Sequence, residues 1–241
     1  MLLLFSLCTI PAASQKKSPP LQFTHVAGNL YAYVSYGYYQ QETYPANAMY
    51  MVTPVGIVLF DTPWDSSYFQ PLLDSLQNRH HQPVVLCIST HFHDDRTGGL
   101  EYYQAKGIRT YTTAMTDSLC RINHNKRAAF LIPSDTTIQI GGSTLRTFYP
   151  GPGHAPDNIV IWFPKERVLY GGCFLKSVED TSLGNLEDAD VHAWETALKK
   201  LQHAFPQPAY VIVGHNDWHN KQSIAHTLAL VRAYNRTHRE P

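Results

Sequence analysis

A chain of 241 residues, 44% hydrophobic and 16% charged, is long enough to bury a substantial core, and one large domain accounts for it better than two small ones. Its 19 basic and 19 acidic residues cancel, so no overall field draws the chain to nucleic acid or to an anionic membrane. Nucleic acid is therefore not an expected partner.

Met1 to Ile10 are nearly all apolar, and the small residues at 11–14 suit cleavage before Gln15, so residues 1–14 read as a secretory signal peptide. Its apolar stretch is too short to span a bilayer, and a basic leading segment is missing. Cys8 opens a lipoprotein alternative, against which stands the bulky Leu7 where a lipidation site wants a small residue. Export places the mature chain in the periplasm, off the membrane once the signal is cut, and a monomer is the default. Residues 15–20, with Lys16-Lys17-Ser18-Pro19-Pro20, form a linker, and the working domain covers 21–241. After cleavage only Cys87, Cys120 and Cys173 remain. An odd count in an exported chain implies that at least one thiol serves something other than a disulfide.

Within the domain, alternating and apolar runs at Leu30 to Val34, Ala48 to Val52 and Gly56 to Phe60 predict an antiparallel meander with a turn at Thr53-Pro54. Asp65 is placed to cap a helix carrying Phe69, Leu72, Leu73 and Leu76. Val84 to Ile88 is an apolar strand. Asp190 is placed to cap a second helix with Trp194, Ala197, Leu198, Leu201 and Phe205 on its core face, and Ile224, Leu228 and Val231 mark a last amphipathic helix. Strands interleaved with helices in two halves predict two sheets packed face to face with helices outside.

The chemistry begins where the strand at Val84 to Ile88 ends. Residues 91 to 96 read His-Phe-His-Asp-Asp-Arg, so His91, His93 and Asp95 offer imidazole and carboxylate at alternate positions, a donor set that suits zinc if the backbone turns, as Gly98-Gly99 permits. Three further donors follow strand and glycine in the same way. His154 comes after Pro150-Gly151-Pro152-Gly153, Cys173 after Gly171-Gly172, and His215 after Gly214. Loops held by strands can bring such residues to one edge of a sheet assembly. The other histidines need no special role: His80, His81, His124, His192, His203, His226 and His238 read as surface or satisfied core residues. His219 competes with His215, which is preferred because it directly follows the strand and its glycine. Cys173 alone would more often be a small buried apolar residue, and its position beside two glycines favours the ligand reading.

Over nearly the whole mature chain these residues carry a resemblance. Asn47-Ala48-Met49-Tyr50, Asp61-Thr62-Pro63-Trp64-Asp65, the 91–96 motif, Gly153-His154, Asp157-Asn158, Gly171-Gly172-Cys173, Lys176, Gly184-Asn185 and Gly214-His215 are similar in order and spacing to the class B metallo-beta-lactamases, subclass B1, in particular the flavobacterial-type branch. In the broader superfamily a histidine commonly follows the second-site aspartate and an aspartate stands where Cys173 does; Arg96 and Cys173 separate this chain from thioesterases and nucleases of that kind.

The resemblance implies an α/β fold, an αββα sandwich of two mixed sheets, with two zinc ions per chain. His91, His93 and His154 would hold the first zinc, and Asp95, Cys173 and His215 the second. It implies hydrolysis of penicillins, cephalosporins and carbapenems, and hence antibiotic resistance, by attack of a zinc-bound hydroxide on the lactam carbonyl. Asp95 and Asn185 would take part in catalysis, Lys176 would pair with the substrate carboxylate, and Asn185 would lie near the lactam carbonyl. Asp61 and Arg96 would support the ligands from behind. The tyrosine-rich stretch Ser35 to Pro45 corresponds to a loop that closes over substrate, with Tyr36, Tyr38, Tyr39 and Tyr44 as candidate contacts. Ala155 stands where relatives carry a hydroxyl residue, which removes a hydrogen bond behind the first zinc. Two other readings stay open: a hydrolase of thioesters or lactones on the same fold, and a non-catalytic periplasmic zinc-binding protein.

Overall fold

The computed structural model describes residues 18–238, so the expected signal peptide 1–14 and the first half of the linker lie outside the described residues. The first sheet is laid down in chain order. Strands β2 (Leu30–Tyr39), β3 (Glu42–Thr53) and β4 (Gly56–Phe60) form the predicted antiparallel meander, β1 (Gln22–Ala27) adds an antiparallel strand that the sequence reading did not include, and β5 (Val84–Ile88), β6 (Arg109–Thr113) and β7 (Phe130–Ile132) extend the sheet in parallel. The second sheet runs antiparallel through β8 (Thr136–Ile140), β9 (Ser143–Phe148), β10 (Val160–Phe163) and β11 (Val168–Gly172), with β12 (Tyr210–Val213) parallel to β11. Both sheets are therefore mixed, as the αββα sandwich requires.

The layers follow from burial. Central strands β4 and β11 are buried at every position, so both of their faces are covered. Between the sheets Phe60 meets Phe163 edge to face, ring centroids 5.1 Å apart. Helices α1 (Phe69–His80) and α3 (Leu100–Ala105) lay Phe69, Leu72, Leu76, Leu100 and Tyr103 against Tyr33, Tyr50 and Leu59 on the outer face of the first sheet. On the second sheet, α5 (Val191–Ala204) and α6 (Ser223–Thr237) supply Trp194, Leu198, Leu201, Leu228 and Val231 to the main core. The predicted apolar faces of these last two helices are the ones buried.

Some local expectations need correction. Asp190 caps α5 as expected, accepting from the Ala193 amide, whereas Asp65 accepts from Ser67 in a single 3-10 turn, Ser66–Tyr68, that precedes α1. The chain reverses after β5 through a short helix α2 (Asp94–Thr97) and not through glycine-only conformations: Gly98 and Gly99 have φ of −52° and −90°. What Gly99 supplies is room, since a Cβ there would lie 3.0 Å from Thr62 and 3.2 Å from the Phe69 ring. Helix α4 (Ala114–Ile122) links β6 to β7.

The tyrosine-rich stretch is likewise not a loop. Strands β2 and β3 stay paired out to Tyr39 and Glu42, closed by a two-residue turn in which Gln40 and Gln41 both take positive φ, the hairpin geometry that matches strand twist. The pleat then sorts the tyrosines. Tyr39 and Tyr44 line a large cavity at the sandwich edge, while Tyr36 bonds to Gln22 on the other face. Cys87, Cys120 and Cys173 are all buried and free of disulfides.

Candidate metal centre

Six donors reach one edge of the sandwich because of how the strands run. The turn after β5 carries His91 and His93, and α2 carries Asp95; β11 and β12 are parallel, so Cys173 and His215 leave their strands at the same end. Gly214 lets those two exits touch, as a Cβ there would lie 2.6 Å from the Cys173 amide nitrogen and 2.7 Å from its sulfur. His154 arrives on the connection between β9 and β10.

The donor atoms lie in coordination range of one another. His93 Nδ1 is 3.1 Å from His91 Nε2 and 3.2 Å from His154 Nε2. Beside them, Cys173 Sγ is 3.3 Å from both Asp95 Oδ2 and His215 Nε2, and His215 Nε2 is 3.3 Å from Asp95 Oδ2. Three overlapping trios, His91–His154–Cys173, His91–His93–Asp95 and Asp95–Cys173–His215, each place their donor atoms within 4.8 Å of one another, so all six form one continuous cluster. Tetrahedral zinc with nitrogen ligands at about 2.0–2.1 Å separates those nitrogens by about 3.3 Å, and the observed spacings fit such an ion. Nitrogen, thiol sulfur and carboxylate oxygen together suit a borderline divalent metal.

The surroundings orient these donors. His93 Nε2 lies 3.0 Å from Asp188 Oδ2, and His215 Nδ1 lies 2.7 Å from the carbonyl of Pro45, which turns the opposite nitrogen of each ring toward the cluster. His154 Nδ1 has no such partner among the described residues; the adjacent Ala155 has no side-chain group to offer. Burial holds His91 and His154 well below the ordinary histidine range. They are neutral at physiological pH.

Arg96 is the charge behind the cluster. Fully buried, it donates through Nη1 to the Asn47 carbonyl at 2.6 Å and to Tyr170, and through Nη2 to Cys173 Sγ and the Gly214 carbonyl, both at 3.0 Å. Its Nε lies 3.0 Å from Asp95 Oδ2, an ion pair without hydrogen-bond alignment. Burial opposes ionisation of Asp95, yet Arg96, and after it His215, hold the carboxyl well below its usual range. Asp61 sits deeper, at positive φ, accepting from the Thr90 amide and hydroxyl and from Tyr170, with Arg96 Nη1 at 3.6 Å. Burial lifts its pKa to about 6 against the opposing pull of Arg96, Tyr170 and Thr90. Burial also keeps Cys173 protonated, far above the usual thiol range.

Over the cluster opens a cavity of about 1330 Å³. Lys176 lines it, only 8% exposed, its Nζ 5.7 Å from the centre of the Trp194 ring and without a carboxylate partner among the described residues. Asn185 is exposed on the cavity wall, and its Oδ1 accepts from the Glu187 amide. His219 is turned away, stacked on Trp218 and paired with Asp217.

Residues 42–215 match the family model described as the metallo-beta-lactamase superfamily. The chain belongs to the metallo-beta-lactamase superfamily. A relative from Elizabethkingia meningoseptica, metallo-beta-lactamase type 2, is 39% identical over 219 residues, 91% of this chain and 88% of the relative. Metallo-beta-lactamase IND-1 of Chryseobacterium indologenes is 38% identical over 206 residues, 86% of each chain. Among solved structures, metallo-beta-lactamase IND-7 superposes with a TM-score of 0.87 at 36% identity, covering 90% of this chain and all of that one. A metallo-beta-lactamase from Pontibacter korlensis gives 0.85 at 33% identity over 88% of this chain and 99% of the other.

Sequence reading of this superfamily member missed Asp188, which no strand or glycine marks, and Trp64. The Trp64 indole packs where a Gly37 Cβ would stand, 2.1 Å away, and lies 5.9 Å from the His215 ring, joining the hairpin to the cluster. The spacing Asp61 to Trp64 was visible, but not what the indole would touch. The Arg96 network gives a direct test. Arg96→Met strips two buried carboxylates of their cation and should cost the metal-free protein about 3–5 kcal/mol in urea titration. An unchanged midpoint would refute the role assigned to the guanidinium.

Proposed function

We propose that this protein hydrolyses the amide bond of beta-lactams, penicillins, cephalosporins and carbapenems among them, at a centre of two zinc ions. His91, His93 and His154 hold one ion in this reading, and Asp95, Cys173 and His215 the other. The observation that carries it is the convergence of six metal donors, of which His93, Asp95, His154 and His215 line one open cavity beside a buried lysine with no carboxylate partner among the described residues. The names of the relatives, all metallo-beta-lactamases, support the substrate class.

When bound, adjacent zinc ions supply Lewis acidity and a water that ionises near neutral pH. The chain's own groups do the rest. His91 and His154 are neutral and offer lone pairs without first losing a proton. Asp95 turns Oδ1 toward His91 and Oδ2 toward Cys173 and His215, so its carboxylate faces both halves of the cluster. Lys176 offers its ammonium to the substrate carboxylate, a contact held in place by the indole beneath it. Because Asn185 uses its oxygen within its own loop, its amide NH2 is the donor on offer to the lactam carbonyl. Asp61 and Arg96 act from behind, fixing Asp95 and Cys173. A metal-buffering role fits less well, since buffering needs neither the large cavity nor Lys176.

Residues 1–14 are assigned to an export signal, 15–20 to a linker and 21–241 to the enzyme domain, acting as a periplasmic monomer. Among the described residues no helix is long and apolar enough to cross a membrane.

Zinc-loaded protein is expected to open a cephalosporin or carbapenem ring and to lose that activity to a chelator; turnover unaffected by chelation, or none with any beta-lactam, would reject the reading. Loading itself should depend on pH. Cys173 must give up the proton that burial keeps on it, so zinc affinity falls about tenfold for each pH unit lost while the histidines stay neutral. Cys173→Ser should release one proton fewer on zinc titration, and equal proton release would remove Cys173 from the ligand set. For Lys176→Ala the expected signature is a raised KM, about tenfold or more, with a smaller change in kcat. An unchanged KM would take substrate binding away from that lysine.

A further inference from the structure

The cavity over the cluster is polarised. Although the whole chain carries no net charge, the mouth is ringed by Glu42 on the hairpin, Asp94 on α2, Glu179 and Asp180 beyond Cys173, and Glu187 and Asp188 on the loop that carries Asn185. Lys176 is the only lysine or arginine lining it among the described residues. Asp188 faces His93, and Asp180 accepts from Asn216 and the Ser177 amide; none of the six pairs with a lysine or arginine among the described residues. Glu42, Asp94 and Glu187 are exposed, and their carboxylates accept no hydrogen bond there. Lys176, the single cationic side chain, is more than nine-tenths buried, with no carboxylate of its own among the described residues.

We propose that this site favours beta-lactams whose outer side group carries a positive charge, an amine, amidine or quaternary ammonium, over those whose side group carries a second carboxylate. The inference rests on the beta-lactam reading and adds a substrate subclass to it. A core carboxylate docked on Lys176 fixes the bicyclic core at the floor, and the side groups then point toward the acidic mouth. A sphere of this volume has a radius of about 7 Å, inside the roughly 8 Å screening length at physiological ionic strength, so a side group within it feels the rim charges. Rings on the same wall, Tyr39 and Trp64, give a cation apolar faces to sit against. A second carboxylate at the mouth meets the acidic rim, while the metal charge, which would attract it, lies deeper and is engaged with the lactam core. Selection arises from binding, so it appears in KM more than in kcat.

The test compares zinc-loaded protein on three cephalosporins that share one core and differ in a quaternary ammonium, a neutral or a carboxylate side group, at low and high ionic strength. The expected order of kcat/KM is cationic, neutral, anionic, with about tenfold between the ends at low salt and a smaller span at high salt. Glu42→Gln combined with Glu187→Gln should narrow the span while the neutral substrate changes least. Equal kcat/KM for the three, or a span indifferent to salt and to those substitutions, overturns the selection and leaves the hydrolase reading standing. No turnover of any of them overturns both.

Discussion

One buried guanidinium ties the two sheets together at the edge where the donors meet. Arg96 reaches the Asn47 carbonyl on β3, the Tyr170 hydroxyl on β11, the carbonyl of Gly214 after β12 and the Cys173 sulfur, with Asp61 and Asp95 as counter-ions. A cation out of contact with water survives only with several such partners, so each is held where the guanidinium needs it. Asn47 reinforces the seam, donating from its amide side chain to the carbonyls of Val213 and Asn216. Both halves of the donor cluster are thereby referred to one rigid frame.

That frame explains how six donors come to lie so close together. Three imidazole nitrogens within 3.2 Å contacts and a thiol against a carboxylate would separate if their loops were free. They stay because the strands behind them are buried on both faces and because Pro45, Asp188 and Arg96 fix the far sides of His215, His93 and Asp95. Such preorganisation spares a metal the reorganisation of its ligands. The same logic reaches the hairpin, whose Gly37 carries the Trp64 indole that also lies beside His215.

Much of this was legible in sequence because strand ends leave plain marks. Each of Cys173 and His215 follows an apolar run and a glycine, and the alternation of His91 and His93 falls just past β5, so one shared edge could be inferred without knowing the strand order. Helix caps read less cleanly. Asp65 closes a 3-10 turn because local hydrogen bonding specifies a cap and not the length of what it caps. The hairpin was misread as a loop since tyrosine and glutamine are compatible with either state, and pairing across ten residues of each strand, which decides the matter, is a non-local fact. Asp188 and the indole on Gly37 were invisible for the same reason. Their partners lie 95 and 27 positions away, with no periodicity linking them.

The three described cysteines carry a consequence for how the molecule matures. Since Cys87, Cys120 and Cys173 are buried and unbridged, the fold between residues 18 and 238 closes without any covalent staple. Cys87 and Cys120 are held protonated by burial, which makes them poor nucleophiles toward oxidants and foreign disulfides. Assembly of this domain therefore needs no oxidase or isomerase, and a reductant strong enough to unfold stapled secreted proteins leaves this one standing. The one sulfur in the donor cluster lies 3.0 Å from Arg96, a cation that steadies the thiolate once its proton is gone.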